Sequence, residues 1–347
     1  MTKQSTGLSQ HNMNKSTLFK KPKIVTIGGG TGHFALLSGL KDCKVDLTAV
    51  VTMADDGGST GVLRDELGVL PPGDLRQCLV ALSEADDLVR DLFTHRFSNG
   101  GLSGHNFGNL FISALEQVSG SIERAVEGAA DVLKIKGEVL PVTLDKTKLK
   151  MVLEDGTELK GEYAVSECDQ LSKVGIEAYT LTPKAQLNPK VVRAIRQADL
   201  IVLGPGSLYS SIVPSVLVPG LPEALKKAHA PTVFVQNLMN KIGHTDGFDC
   251  RKYVEEIHRH AGTTCIDAVL MNTHTLPSRL VKKYKHEGEP VQCTAKETEA
   301  GVHYIGADIV SETITEPKKG DPIKRTLIRH DPDKLAQALM EILEDTT

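Results

Sequence analysis

The run KIVTI, residues 23–27, passes without a break into Gly28, Gly29, Gly30, Thr31 and Gly32, and then into the apolar-periodic stretch 34–40. No other feature narrows the fold so far. A short β-branched run makes a strand, a helical period follows it, and glycines between the two let the backbone approach an anion that the helix N-terminus stabilises. A second β-rich run, residues 45–53, comes next. Strand, glycine turn, helix and strand open a doubly wound α/β sheet, whose ligands sit beyond the carboxyl ends of its strands. The expected ligand of Gly29, Gly30 and Gly32 is a phosphate, with a purely structural tight turn as the competing reading. Gly30, Gly32 and Ala35 also fit the dinucleotide pattern GxGxxG/A, but weakly, because Asp55 and Asp56 lie past the second strand rather than at its end.

Helical periods over residues 74–83, 86–97, 105–118 and 121–135 predict a helical insertion spanning about 61–136. From 138 to about 165 the residues alternate as strands do, with Asp155-Gly156 as a hairpin turn, which predicts a small β-rich excursion. The α/β pattern then resumes. Asn188 and Pro189 stand as N-cap and first helical residue, ahead of a strand at 200–203. Further strands are expected at 232–236 and 266–271, and helices at 248–261, 278–285 and 333–343. The first 21 residues are polar and aperiodic and read as a disordered tail. The expectation is thus one Rossmann-like domain over 22–345, built on a mostly parallel sheet.

Composition removes several classes of function. With 40 Lys and Arg against 44 Asp and Glu, the net charge of −4 offers no basic excess for a phosphate backbone, so nucleic acid is not an expected partner. The six cysteines form no CxxC pair, which predicts reduced, mostly structural thiols. No apolar run reaches the roughly 18 to 20 residues of a membrane span, and the first twenty residues have no signal-peptide core. A cytoplasmic location is expected.

Three further motifs bear on chemistry. ADDGGSTG, residues 54–61, places Asp55, Asp56, Gly58 and Ser59 after the second strand, where carboxylates can hold a divalent cation such as magnesium and hydroxyls and amides can bind phosphate. The competing reading makes Asp55 a turn cap and Asp56 a solvated charge. PPGDLRQ adds Asp74 as an N-cap candidate and Arg76 as an anion ligand. GHNFGN brings Asn106 and Asn109 to a helix start, where they either read a base or sugar or, for Asn106, simply cap the helix. LGPGSLYSSIVPSV, residues 203–216, ends another strand in glycine and opens into a Ser-rich helix start. Gly204, Gly206 and Ser207 there form a second candidate phosphate clamp, and Asn237 follows the next strand as part of a polar rim. Two glycine loops at the carboxyl ends of two strands favour ligand binding over coincidental turns. There is no GxSxG elbow and no evident general base.

Taken in order, GGGTGHF, VTMADDGGSTG, LPPGDLRQ, GHNFGNLF, LIVLGPGSLYSSIVPSVL and the closing IRHDP resemble the family that contains the gluconeogenesis factors and the phospholactate transferases. The resemblance covers most of residues 23–343. PSRLVKKYKHEGEPV, residues 277–291, and the RHDP tail bring the chain nearer to the bacterial gluconeogenesis-factor branch. The resemblance implies a Rossmann-like core that binds a UDP-sugar such as UDP-N-acetylglucosamine, and a role in cell shape and cell-wall homeostasis on gluconeogenic carbon sources. It also implies phosphate binding by Thr31 and nucleotide-sugar contacts by Tyr284 and Arg329. A guanidinium near the last strand suits a diphosphate. The charged stretch 296–325 lies between Tyr284 and Arg329 and is longer than the family pattern leads one to expect.

Three functions remain open at the level of sequence. The favoured one is a sensor that binds a UDP-sugar and signals to a protein partner in cell-wall regulation, with a homo-oligomer compatible. The alternative is a transferase of phosphoryl or phospholactate groups using Asp55, Asp56 and a divalent cation. An NAD-dependent oxidoreductase rests on the GxGxxA match alone.

Overall fold

A computed structural model gives the fold, and the structure describes residues 21–293, 295–312 and 328–346. The tail expected over 1–21 falls, apart from Lys21, outside the described residues, as does part of the charged stretch 296–325. The first apolar run becomes β1 (Lys23–Gly28), buried from Ile24 onward. It feeds α1 (Gly30–Leu40), which starts inside the glycine loop itself, and β2 (Asp46–Val51). Five helices fill the insertion: α2 (Gly58–Leu67), α3 (Gly73–Ala81), α4 (Asp87–Thr94), α5 (Phe107–Ser119) and α6 (Ile122–Leu133). In α6 the buried residues Ile122, Ala125, Val126, Ala129 and Leu133 recur at helical spacing, and Ser121 caps its start.

One element of the expected β-rich excursion belongs elsewhere. β3 (Glu138–Pro141) pairs in parallel with β2 and forms an edge of the main sheet. A four-residue apolar run reads the same in either sheet, and it is the return of the chain through α6 that decides its neighbour. The excursion proper is β4 (Lys148–Leu153), β5 (Glu158–Lys160), α7 (Glu162–Glu167), α8 (Leu171–Val174) and β6 (Ile176–Thr182), so it extends past residue 165. Its three strands form an antiparallel sheet in the order β5-β4-β6. At the hairpin, Gly156 takes φ 84° and the Asp155 carboxylate accepts the Thr157 N–H at 2.9 Å.

The chain then adds α9 (Pro189–Gln197), whose Asn188 cap accepts the Lys190 N–H at 2.9 Å. β7 (Leu200–Leu203), a π-turn at Leu208–Ile212, α10 (Val213–Val216), α11 (Leu221–Lys226), β8 (Thr232–Val235), α12 (Cys250–Ala261) and β9 (Ala268–Asn272) follow. The last elements are α13 (Ser278–Tyr284), β10 (Thr298–Glu299), β11 (Val302–Ala307) and α14 (Pro332–Thr346). The main sheet runs β10-β11-β9-β8-β7-β1-β2-β3, parallel except for β10 against β11. β7 and β8 are buried throughout, as befits strands covered on both faces. From β1 the chain builds outward through β2 and β3 on one side and through β7, β8 and β9 on the other. The order therefore reverses between β1 and β7, where a crevice opens beyond the strand ends. Among the described residues no helix is long and apolar enough to cross a membrane.

Candidate functional site

The two glycine loops meet at that reversal. β1 and β7 pair from Ile24↔Leu200 to Ile27↔Leu203, so both release their loops at the same level. Gly204, at φ 83°, donates its N–H to the Ile27 carbonyl at 2.8 Å before a cis Gly204-Pro205 bond turns the chain. A Cβ on Gly32 would lie 2.6 Å from the Pro205 carbonyl oxygen. Gly32 is thus fixed by the close approach of one loop to the other. Asn237, at the end of β8, donates its Nδ2 to the Gly206 carbonyl at 2.8 Å and ties the third strand to the same junction.

A cavity of about 570 Å³ opens over this junction, within the range of small-molecule sites. Gly29, Gly30, Thr31 and Gly32 form one wall, Gly206 and Ser207 the next, with Asn237 and Arg329 beside them. Arg329 arrives just ahead of α14, and His330 beside it shares a hydrogen bond with the Gln236 carbonyl at 3.0 Å. The helix start of α1, the serine turn after β7 and a guanidinium therefore converge, which is a setting for a phosphorylated ligand.

The opposite wall is acidic. Asp74 is no N-cap: α3 begins at Gly73, and the Asp74 carboxylate reaches across to accept the Gly30 N–H at 3.0 Å. A Cβ on Gly29 would lie 2.4 Å from Asp74 Oδ2, so glycine there makes room for the carboxylate. Burial, followed by the charge of Asp55, pushes Asp74 up to about 8. Burial also raises Asp55, although the Gly57 N–H donates to it at 3.0 Å. Glu162, at the start of α7, is pushed up to about 7 by burial and then by Asp55. Nearby, burial lowers Lys241, whose ammonium donates to the Ser166 carbonyl, and holds His244 near 4, with the charge of Lys241 as the second cause. Glu162 had no sequence signal, because α7 reaches the cavity from a distant part of the chain, whereas Lys241 and His244 stand in the polar rim that follows β8.

Several expected ligand residues lie elsewhere. Asp56 turns away from Asp55: its carboxylate accepts the Tyr163 N–H at 2.7 Å and pairs with Arg64 at 3.5 Å. The two adjacent aspartates therefore do not converge on a cation, and among the described residues no group of three His, Cys, Asp or Glu is arranged to hold a metal. Gly58 opens α2, and the Ser59 hydroxyl engages His105 at 3.2 Å and the Asn106 N–H at 3.4 Å. Asn106 caps α5, accepting the Asn109 N–H at 3.2 Å. Asn109 in turn accepts from Arg76 Nε at 2.9 Å and donates to Thr60 at 3.4 Å. Asp56 is thus spent on the excursion and on Arg64, Ser59 and the two asparagines on packing the insertion, and neither these residues nor Gly58 line the cavity. Gly204 lies behind the cavity wall in the turn described above, and Tyr284 is buried in the core on α13.

The family model for the 2-phospho-L-lactate transferase CofD matches residues 24–310. The gluconeogenesis factor of Bacillus subtilis is 40% identical over 330 residues, covering 94% of this chain and 99% of that protein. That of Listeria monocytogenes is 40% identical over 337 residues, covering 96% and 99%. A Bacillus halodurans protein solved by X-ray crystallography is 39% identical and superposes with a TM-score of 0.84 over 92% of this chain and 100% of that one. With a family model matching most of its length and relatives at this identity end to end, the chain belongs to the CofD-like family, among the proteins named gluconeogenesis factors.

Proposed function

We propose that this chain is a cytoplasmic UDP-sugar-binding factor, with UDP-N-acetylglucosamine as its ligand, acting in cell shape and cell-wall homeostasis on gluconeogenic carbon sources. The observation that carries the binding reading is the junction of the β1 and β7 loops, locked by Gly32 against Pro205 and faced by Arg329. Amides of residues 31, 32, 206 and 207 with the guanidinium suit a diphosphate, and the polar remainder of a cavity of about 570 Å³ suits a nucleoside and a sugar. The identity of the sugar and the cellular role come from the family resemblance, as does signalling to a protein partner.

Titration calorimetry with UDP-N-acetylglucosamine, with and without magnesium, tests this, with UDP-glucose and NAD as comparisons. Saturable binding that Arg329→Ala weakens is the expected result. No binding to any UDP-sugar overturns the reading. One observation favours a second function, a transferase of phosphorus-containing groups: Asp74 and Glu162, pushed up to about 8 and about 7, are carboxyls able to exchange a proton near neutrality. Product analysis of the same samples separates the two, since a sensor returns its ligand unchanged.

A further inference from the structure

Two of the six cysteines, distant in sequence, are brought together by the fold. Asp249 and Gln292 form an isolated parallel bridge, and the Cys250 N–H donates to the Gln292 carbonyl at 3.3 Å. One residue further along both segments stand Cys250 and Cys293. Paired backbones run about 4.8 Å apart, inside the Cα separation of roughly 4.4 to 6.8 Å that a disulfide spans.

The two thiols are not equivalent. Cys250 is fully buried at the first residue of α12, whereas Cys293 is half-buried. The Cys293 thiol donates to Cys250 and the Ala295 N–H adds a second hydrogen bond, so Cys250 is lowered to about 7 despite its burial. The same thiol–thiol bond, with burial, holds Cys293 strongly in the protonated form.

The pair also sits at a structural crossing. The segment leading to Cys293 is strapped to the cavity loop: the Asn240 N–H donates to the Glu289 carbonyl at 2.7 Å, and the Val291 N–H to the Leu238 carbonyl at 3.1 Å. From α12, the Tyr253 hydroxyl reaches Asn240 at 2.9 Å and Thr245 at 3.2 Å.

We propose that Cys250 and Cys293 are a peroxide-responsive dithiol, in which the outward Cys293 is oxidised first and the buried Cys250 then closes a disulfide. In the first step the Cys293 proton passes to the Cys250 thiolate along the thiol–thiol hydrogen bond, and the Cys293 thiolate so formed attacks hydrogen peroxide. The O–O bond breaks, the departing hydroxide takes the proton back from Cys250 and leaves as water, and Cys293 becomes a sulfenic acid. In the second step the Cys250 thiolate attacks that sulfur, the S–S bond forms and hydroxide departs. One peroxide is reduced and two sulfurs are oxidised. The link would fasten the strap to α12 and so to the loop walling the cavity.

Peptide mapping of the full chain after peroxide treatment and thiol blocking tests this. The expected product is a Cys250–Cys293 linked peptide lighter by two hydrogens and restored by dithiothreitol, while Cys265, whose thiol burial pushes up to about 12, stays reduced. Cys250→Ser should leave a Cys293 sulfenic acid that dimedone captures, and Cys293→Ser should leave Cys250 reduced. Wild-type protein in which Cys293 proceeds to sulfinic acid without the link overturns the proposal, as does oxidation of Cys250 in Cys293→Ser. The oxidised wild type should also melt at a higher temperature than the reduced form, a shift absent from both serine variants.

Discussion

The loops after β1 and β2 look alike as sequence, GGGTGHF and ADDGGSTG, yet only the first offers its glycines to the cavity. In the β1 loop the helix begins within the glycines, and the loop lies against the β7 loop with no side chain between them. In the β2 loop Ser59 is spent on His105 and Thr60 on Asn109, while Asp55 accepts the Gly57 N–H and turns only a carboxylate to the cavity. Glycine content therefore marks where a backbone must bend or approach closely. Whether the amides remain for a ligand depends on which side chains the rest of the fold brings to them.

That contrast can be broken most severely at Gly32. Replacing it with Val drives a side chain into the Pro205 carbonyl, and we expect loss of UDP-sugar binding in calorimetry together with a stability cost of about 1–3 kcal/mol by urea melt. Arg329→Ala should keep the fold and weaken the ligand by roughly 10- to 100-fold, from the loss of about 1.5–3 kcal/mol of charge-assisted hydrogen bonding. A change confined to stability would remove Arg329 from the site.

The β2 loop should answer differently. Asn106→Ala removes the α5 cap and should lower stability by about 1 kcal/mol while leaving ligand affinity where it was. Asp56→Asn should behave in the same way, as a loss of the hydrogen bond to Tyr163 and the pairing with Arg64, whereas Asp55→Asn, at a residue that lines the cavity, should alter affinity.

A pH slope tests the acidic wall that faces these loops. Asp74 keeps its proton in the folded chain up to about 8 but loses it in the ordinary carboxylate range when unfolded. The folded state then binds more protons than the unfolded one between those limits, so stability falls as pH rises through that window. Asp74→Asn should flatten the decline between about pH 5 and about pH 8. An unchanged slope would mean that Asp74 is ionised in the native protein.

The sequence made the strand-turn-helix units legible because each is local: KIVTI into glycine, Asn188-Pro189 as cap and first turn, LIVL into GPG. That the β1 and β7 loops share one edge of the sheet was also readable, from their position at strand ends, but their direct contact was not. The acidic wall was not. Asp74 reads as a cap in any local window, and only the contact with Gly30, 44 residues away, shows its other use. Glu162 reaches the cavity because the excursion folds back over it. Asn106 and Asn109 could be read either way, since an amide that caps a helix or satisfies a buried arginine and one that reads a ligand look identical until their neighbours are known. Tyr284, assigned by resemblance, is held in the core by the helix that carries it.

Arg329 stands at the head of α14, and α14 lies so close to α1 that a Cβ on Gly39 would fall 2.0 Å from the Pro332 carbonyl oxygen. The glycine loop after β1 and Arg329 thus line one cavity although they lie near opposite ends of the described chain, and the packing of α14 on α1 sets the distance between them. Anything that shifts α14 against α1, a larger residue at Gly39 included, would be felt as lost ligand affinity at a point well away from the cavity.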